Sequence, residues 1–444
     1  MRYRVKVTLR KNRLQAGFTL LEVLVAMALF IVVLVIASKA FNRIVSQASS
    51  YSKMEESNIE GVIGLEVMRH DLAQIGFGLP WGFSKGNPAA SGSTPPSTII
   101  DSTITYSESV DSVGLSLNDA SNGVPRAFAS YAGIGAFASD YIGLKGSTMG
   151  NSKTAQRWAY IPYHNFSSSS GRQSRPVSYS ANNLQTGDKV ILINSNFNDS
   201  TNKDHRLLVA PNDDSSFYQN FSLTSMSDDF LPTDDQETYM VYGMDTVTPR
   251  MPFNRADFFI QVPGGVASTD GSTDGTLPPF CAPLTGVLYK ATVNHANGRY
   301  NYIPLLDCVA DMQVVLGWDW DPVNPTGTLG AVTAYSSLPV STLNTVAAVS
   351  PASANTLINT WLFDAKGLRE HLKIIKVYIL AQEGKFDPNY TTPSTSIAVG
   401  PLSISENGGL SPVKTYTLSA AQTHYRWKLY RIVVRPGNLV SNQR

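Results

Sequence analysis

Twenty consecutive residues, Phe18–Ala37, form an apolar run that starts directly after Gly17 and contains one acid, Glu22. As a helix this run reaches about 30 Å, enough to cross the hydrocarbon core of a bilayer. The residues before it carry Arg2, Arg4, Lys6, Arg10, Lys11 and Arg13 and no acid, so the positive-inside rule keeps them cytoplasmic. A secretory signal has a shorter apolar region, with its small-residue cleavage site on the far side. Here the glycine precedes the run, so a cut there leaves the span attached. Glu22 is the anomaly, because an ionised carboxylate costs ~2.5–3.5 kcal/mol at mid-bilayer, and less near an interface where it can reach headgroups. Such a residue calls for a partner.

The junction Ala16-Gly17-Phe18-Thr19-Leu20-Leu21-Glu22 resembles the class III signal of type IV prepilins. The resemblance implies cleavage by a prepilin peptidase after Gly17 and methylation of the new amine on Phe18. It also implies an assembly salt bridge between Glu22 and the Phe18 amine of a neighbouring subunit. A plain signal anchor with an incidental Glu is the bland alternative. Glycine, Phe-Thr-Leu-Leu-Glu and an unbroken apolar stem together favour the pilin.

Beyond the span, Phe41, Ile44, Val45, Ala48, Tyr51, Ile59, Val62, Leu65, Met68 and Leu72 recur at helical steps, which predicts an amphipathic stripe covered by one globular head. With no proline from Phe18 to Leu79, one helix is expected from Phe18 to about Ile75, stopped by Gly76, Gly78 and Pro80. Major pilins often carry a helix-breaking proline near the position of Lys39. Its absence leans towards a minor subunit or pseudopilin.

Without the six leader cations the chain has 29 Lys+Arg against 34 Asp+Glu, a net of −5. That balance gives a nucleic-acid role no support. Low charge with frequent Gly, Pro, Ser, Thr and Asn describes an exported, β-rich, loop-rich region. Strands are expected at Thr98–Tyr106, Asp140–Leu144, Trp158–Pro162, Asp188–Asn194, Arg206–Val209, Thr238–Gly243 and Asp257–Val262. Loops are expected at Ser84–Ser97, Ser167–Arg175, Asn194–Asp204 and Gly264–Thr276.

Leu305-Leu-Asp-Cys-Val-Ala-Asp-Met-Gln-Val-Val-Leu-Gly-Trp-Asp-Trp-Asp321 looks like the LA-x-G-V-x-x-L-Q-V-x-Y-G-V-D segment of PilW-type minor pilins and the related J-type type II secretion pseudopilins. Cys308 stands where that pattern usually has glycine, which leaves the local turn open. Met312, Val314, Leu316 and Trp318 alternate with Gln313, Val315 and Gly317 as in a core strand. A short helix around Ala365–His371, a strand at Leu372–Gln382 and a closing strand at His424–Arg435 complete the resemblance. The fold class expected is α+β and type IV pilin-like: a long N-terminal hydrophobic helix packed on an antiparallel sheet, with an enlarged β-rich head. The divisions expected are a leader at 1–17, a stem at 18–75 (18–37 transmembrane), a β-rich inserted lobe at 76–270 and a pilin-like sheet region at 271–444.

Cys281 and Cys308 are the sole cysteines. In an exported protein a pair of this kind predicts a disulfide, with two buried thiols as the alternative in a reducing compartment. No H-E-x-x-H, G-x-S-x-G, Walker A or Rossmann spacing occurs, so no catalytic residue and no enzyme is expected. Cofactors and metals are not expected either. Calcium is the one candidate, on the acidic turns Asp213-Asp214, Asp228-Asp229, Asp234-Asp235 and Asp270 to Asp274, none of which fits the EF-hand loop. Tyr106, Tyr141, Tyr163, Trp320 and Tyr390 serve either an adhesive surface or, more ordinarily, packing.

Three functions follow. The first is a PilW-type minor pilin, single-pass in the inner membrane with a cytoplasmic N-terminus, later part of a priming or tip complex in the pilus at the cell surface. Its partners are the prepilin peptidase, other minor pilins and the major pilin, inner-membrane lipid and the assembly platform. The second is a J-type secretion pseudopilin. The third is a tip adhesin or anchored hydrolase using the middle lobe.

Overall fold

The computed structural model describes residues 19–85, 106–108, 117–119, 124–163, 175–176, 183–194, 206–210, 216–222, 226–227, 230–232, 237–264, 274–319, 332, 334–337, 343–345, 358–401 and 414–439. The chain divides into two compact units, residues 1–55 and 56–444. It is α+β: one long N-terminal helix, apolar at its start, and a head built on large β-sheets.

Helix α1 runs from Leu20 to Gln74 without interruption. It stops as expected, because Gly76 and Gly78 both take positive φ (75° and 64°), a backbone state that glycine enters without steric penalty. The Gly76 N–H then bonds the Lys145 carbonyl at 3.0 Å, so the stop leads straight onto the sheet. The expected stripe is corrected. Leu65, Met68, Leu72 and Ile75 are buried, while Ile59 and Val62 are exposed, as are Phe41, Ile44, Val45 and Tyr51. The buried face is organised by Gly61, Gly64 and Asp71, and Val62 lies about 100° round the helix from Gly61.

The strands are β1 (Gly82–Lys85), β2 (Phe128–Tyr131), β3 (Tyr141–Gly146), β4 (Trp158–Pro162), β5 (Arg175–Pro176), β6 (Lys189–Asn194), β7 (Leu207–Ala210), β8 (Gln219–Asn220) and β9 (Thr238–Asp245). They continue with β10 (Asn254–Gln261), β11 (Gly286–Val293), β12 (Tyr300–Trp318), β13 (Ala334–Ser337), β14 (Leu343–Thr345), β15 (Leu372–Glu383), β16 (Ser396–Val399), β17 (Lys414–Thr417) and β18 (Arg426–Val434). The expected Thr98–Tyr106 strand lies outside the described residues except at Tyr106, and so does most of the four expected loops.

The larger sheet has nine strands in the order β14-β13-β12-β11-β10-β3-β2, with β15 pairing β12 and β18 pairing β15. The expected boundary at 270/271 does not separate two sheets, because β10 pairs β11 across it from Ala256–Thr292 to Gln261–Val287. The smaller sheet, β1-β7-β6-β9-β4-β5 with β8 on β6, comes wholly from the middle of the chain. One side of it adds Ile191, Ile193, Leu208 and Tyr242 to the main core. The other side builds a second core from Val190, Leu192, Val209 and Val241. A two-stranded hairpin, β16–β17, covers the back of the β12–β15–β18 region.

Met312, Val314, Leu316 and Trp318 of β12 join the main core with α1, as their alternation implies. Val315 is equally buried, because the hairpin covers the opposite face. Hence β12 is a two-sided strand, and the short helix Ala365–His371, capped by the Asp364 carboxylate, returns the chain to pair with it as β15.

Candidate functional site

Thr19 and Glu22 form a capping box at the start of α1. The Thr19 N–H donates to Glu22 Oε2 at 2.9 Å, and the Thr19 hydroxyl donates to the same oxygen at 3.1 Å. In return the Glu22 N–H donates to Thr19 Oγ1 at 3.3 Å. The first turn of any helix has N–H groups without intrahelical partners, and this arrangement satisfies two of them. It also anchors the carboxylate at the positive end of the helix dipole. Among the described residues, Glu22 Oε1 takes no hydrogen bond, so half of the carboxylate is open to a cation. Gly17 and Phe18 lie outside the described residues.

The helix segment Leu20–Ser49 is long and apolar enough to cross a membrane. Along it Glu22, Val23, Ala26, Met27, Phe30 and Ile31 line a shallow groove with the small Ala26 in its middle. These residues repeat at four-residue steps and so share one face. An acid at the head of an apolar groove suits a second apolar helix that brings a positive charge to the same level.

In the second unit, α1 is seated by contacts the sequence did not reveal. Asp71 pairs with Lys290 of β11 at 2.6 Å, both largely buried. At Gly64 the backbone of β12 comes so near that a Cβ would lie 1.9 Å from the Leu305 carbonyl oxygen.

Cys281 and Cys308 are joined in a disulfide with Cα atoms 5.0 Å apart. Cys308 has φ +55°, a left-handed state that glycine adopts freely and other residues rarely do. This is the position where the resemblance places glycine, and Cys308 there takes a backbone state that glycine favours.

The densest charge cluster was also not foreseen. On the sheet face away from Lys290, the Lys145 ammonium donates to Glu108 at 3.0 Å and also bonds Asp119. Arg255 spans Asp257 (2.7 Å) and Glu108 (2.7 Å), while Arg126 reaches Asp119 at 2.6 Å. The Tyr141 and Tyr300 hydroxyls both donate to Asp257, at 2.9 and 2.6 Å. Burial and the Asp257 charge push both phenols well above their ordinary range. Burial raises Asp119, but Lys145 and Arg126 outweigh it and hold it below the usual carboxylate range. Each cation meets an acid inside the cluster, so it fastens segments 106–108 and 117–119 to the sheet. Arg255 and Asp257 alternate on one strand, but Glu108, Asp119, Arg126 and Lys145 come from separate segments, and no spacing rule could have grouped them.

Among the described residues no three His, Cys, Asp or Glu side chains converge as for a metal ion. Asp274 accepts from Gln261 and from the Gly264 N–H, whereas Asp213, Asp214, Asp228, Asp229, Asp234, Asp235 and Asp270 lie outside the described residues. Of the exposed-aromatic candidates, Tyr106 and Tyr141 are core residues. Tyr163 and Tyr390 are half-buried, and Trp320 lies outside the described residues.

A family model described as the prokaryotic N-terminal methylation motif matches residues 12–38. Among curated proteins and among solved structures, no match to the chain is found. The matched stretch holds Gly17, Phe18, Thr19 and Glu22 and runs into the unbroken α1. The chain is thus type IV pilin-like, with the N-terminus of a pilin or pseudopilin of the kind prepilin peptidase processes, followed by an α+β head.

Proposed function

We propose that this protein is a minor pilin of the PilW type. In this reading prepilin peptidase cuts after Gly17, the Phe18 amine is methylated, and the mature chain waits in the inner membrane with its N-terminus on the cytoplasmic side. It then joins other minor pilins in a priming or tip complex. The observation that carries the reading is the methylation motif over residues 12–38 leading into one continuous apolar helix with Glu22 near its start. Cleavage creates a cation where none existed, and the open half of the Glu22 carboxylate receives it from a neighbouring subunit. Apolar helix faces then pack together in the membrane and in the filament, so the work of the protein is assembly. No enzymatic step and no cofactor enters this reading.

The unbroken helix through Lys39 equally suits a J-type secretion pseudopilin. Deleting the gene and scoring surface pili against secreted protein separates the two. Mass spectrometry of the mature protein tests the common part. A start at Phe18 with one added methyl group is expected, and an intact leader overturns the reading. Glu22→Leu should then abolish co-purification with partner pilins while leaving cleavage intact.

A further inference from the structure

Lys145 lies on β3 with its side chain wholly excluded from solvent. Its ammonium meets three oxygens: Glu108 Oε1 at 3.0 Å, the Leu117 carbonyl at 3.3 Å, and Asp119 Oδ2 in direct contact. The walls around it are apolar. The Phe253 ring centre is 5.2 Å from the ammonium, Tyr106 packs edge-on against Phe253, and Leu117 is buried with them. The Glu108 and Asp119 side chains are 1% and 4% exposed, so all three ionisable groups share a site that excludes water.

The surroundings of this pair go beyond what an ion pair needs. Glu108 Oε1, besides meeting the Lys145 nitrogen, accepts the Asp119 N–H at 2.7 Å, so a second carboxylate stands beside both partners. The other Asp119 oxygen, Oδ1, receives the Arg126 Nε–H at 2.6 Å. That donor is aimed where negative charge develops if the carboxyl carbon is attacked. A nucleophilic nitrogen, a carboxyl carbon, a proton carrier and an oxyanion donor are thus held together without any outside molecule.

We propose that Lys145 and Asp119 condense into an intramolecular isopeptide bond, with Glu108 as the proton carrier. Against burial, Lys145 and Arg126 hold Asp119 as the anion, so the reaction starts with a proton transfer. One Nζ proton passes along the hydrogen bond to Asp119 Oδ2, which leaves a neutral amine beside a neutral acid. Nζ then attacks Cγ, and Arg126 holds the negative charge that forms on Oδ1. Glu108 takes a second proton from Nζ and delivers it to Oδ2 as the Cγ–Oδ2 bond breaks. The products are an amide and one water. Condensation removes one buried cation and one buried anion together, and with them the desolvation penalty that both carry. Arg126 keeps the amide oxygen and the Leu362 carbonyl (3.1 Å), and Glu108 keeps Arg255 (2.7 Å). The bond fixes residue 119 to the strand whose Lys145 carbonyl receives the Gly76 N–H at the end of α1.

Mass spectrometry of the purified full chain tests this. A trypsin digest should contain one species with two amino termini, Gly86 and Ala127, joined through Asp119 and Lys145 and uncut after Lys145. The intact chain should be lighter by one water than its sequence with the disulfide requires. Linear peptides carrying Asp119 and Lys145 separately overturn the proposal, and so does a lost water that maps to any other residue. Positioned proton transfer contributes ~10²–10⁴-fold to a rate, so linkage followed after a short isotope-labelling pulse should be ~10-fold slower or more in Glu108→Gln. Linkage at the wild-type rate in that variant overturns the part given to Glu108. The wild-type digest decides whether the bond exists even if Glu108→Gln does not fold.

Discussion

Gly64 permits an approach that no other residue could. Its missing Cβ leaves room for the Leu305 carbonyl, which would otherwise lie 1.9 Å from it, and that contact is with backbone. At Gly61 the nearest atoms are the Leu306 Cδ1 at 3.1 Å and the Tyr430 hydroxyl at 3.2 Å, both on side chains that can turn aside. Gly64→Ala should therefore lower stability by about 3 kcal/mol or more, whereas Gly61→Ala should change it little, because the ~1 kcal/mol helix propensity that alanine gains over glycine offsets the crowding, in denaturant melts of the purified protein. Equal effects would mean that the helix seat is plastic. Glu22 shows a different residue-scale point. In the isolated chain it caps its own helix through Thr19, using one oxygen and leaving the other for a partner. A carboxylate that looks orphaned in an apolar run is thus already half-satisfied by local backbone.

Strand β12 carries the fold at the scale of elements. It pairs β11 through Tyr300–Val309 and β15 through Val309–Trp318, and its register against β11 slips twice, at Leu305 and at Asp307–Cys308. A bulge bends a strand and re-aims its groups. The first slip coincides with the Leu305 carbonyl that meets Gly64, and the second with the left-handed Cys308. The disulfide ties this bend to the 281–284 turn, which Gln382 also holds through the Ala282 N–H at 2.6 Å. Removing the disulfide should cost about 3 kcal/mol. Within disulfide-free variants, Cys281→Ser with Cys308→Gly should be more stable than Cys281→Ser with Cys308→Ser by about 1 kcal/mol, because glycine accepts positive φ. Denaturant midpoints decide, and no difference would mean that the bend relaxes once the bond is gone. The alternation in 312–318 was enough to place a strand. Its extension back to Tyr300 and both bulges were illegible, since they answer to α1 and β11.

At the scale of the whole molecule, two buried groups make stability depend on pH in opposite senses. Asp140, raised to about 7, holds a proton that the unfolded chain releases near pH 4. Its contribution is therefore full at low pH and is lost as pH rises through that window, by about 4 kcal/mol at most. His295 is buried between the Arg250 N–H at 3.1 Å and Asn254 at 2.8 Å, and burial depresses it to about 4. Its contribution is present above the unfolded value of about 6.5 and is lost as pH falls towards 4. The two slopes partly cancel in the native protein. In Asp140→Asn the first disappears, so the stability of this variant relative to the wild type should climb between pH ~4 and ~7. Chemical denaturation across that range measures it, and a flat difference would show that Asp140 titrates normally.

The sequence alone decided the N-terminal half of this picture. Twenty apolar residues behind a basic segment, a glycine before them and an acid near their start mark a helix long and apolar enough to cross a membrane and a methylation motif, because hydropathy, length and charge are local properties. Local patterning also placed nine of the eighteen described strands, Trp158–Pro162 to the residue, but gave no sign of others such as Gly286–Val293. Only the tertiary structure decided which face of α1 is covered, that one sheet draws strands from both sides of residue 270, and that Glu108, Asp119, Lys145 and Arg255 share one buried network. Each of these depends on which distant segments lie side by side, and pairing at that range is set by the packing of the whole core.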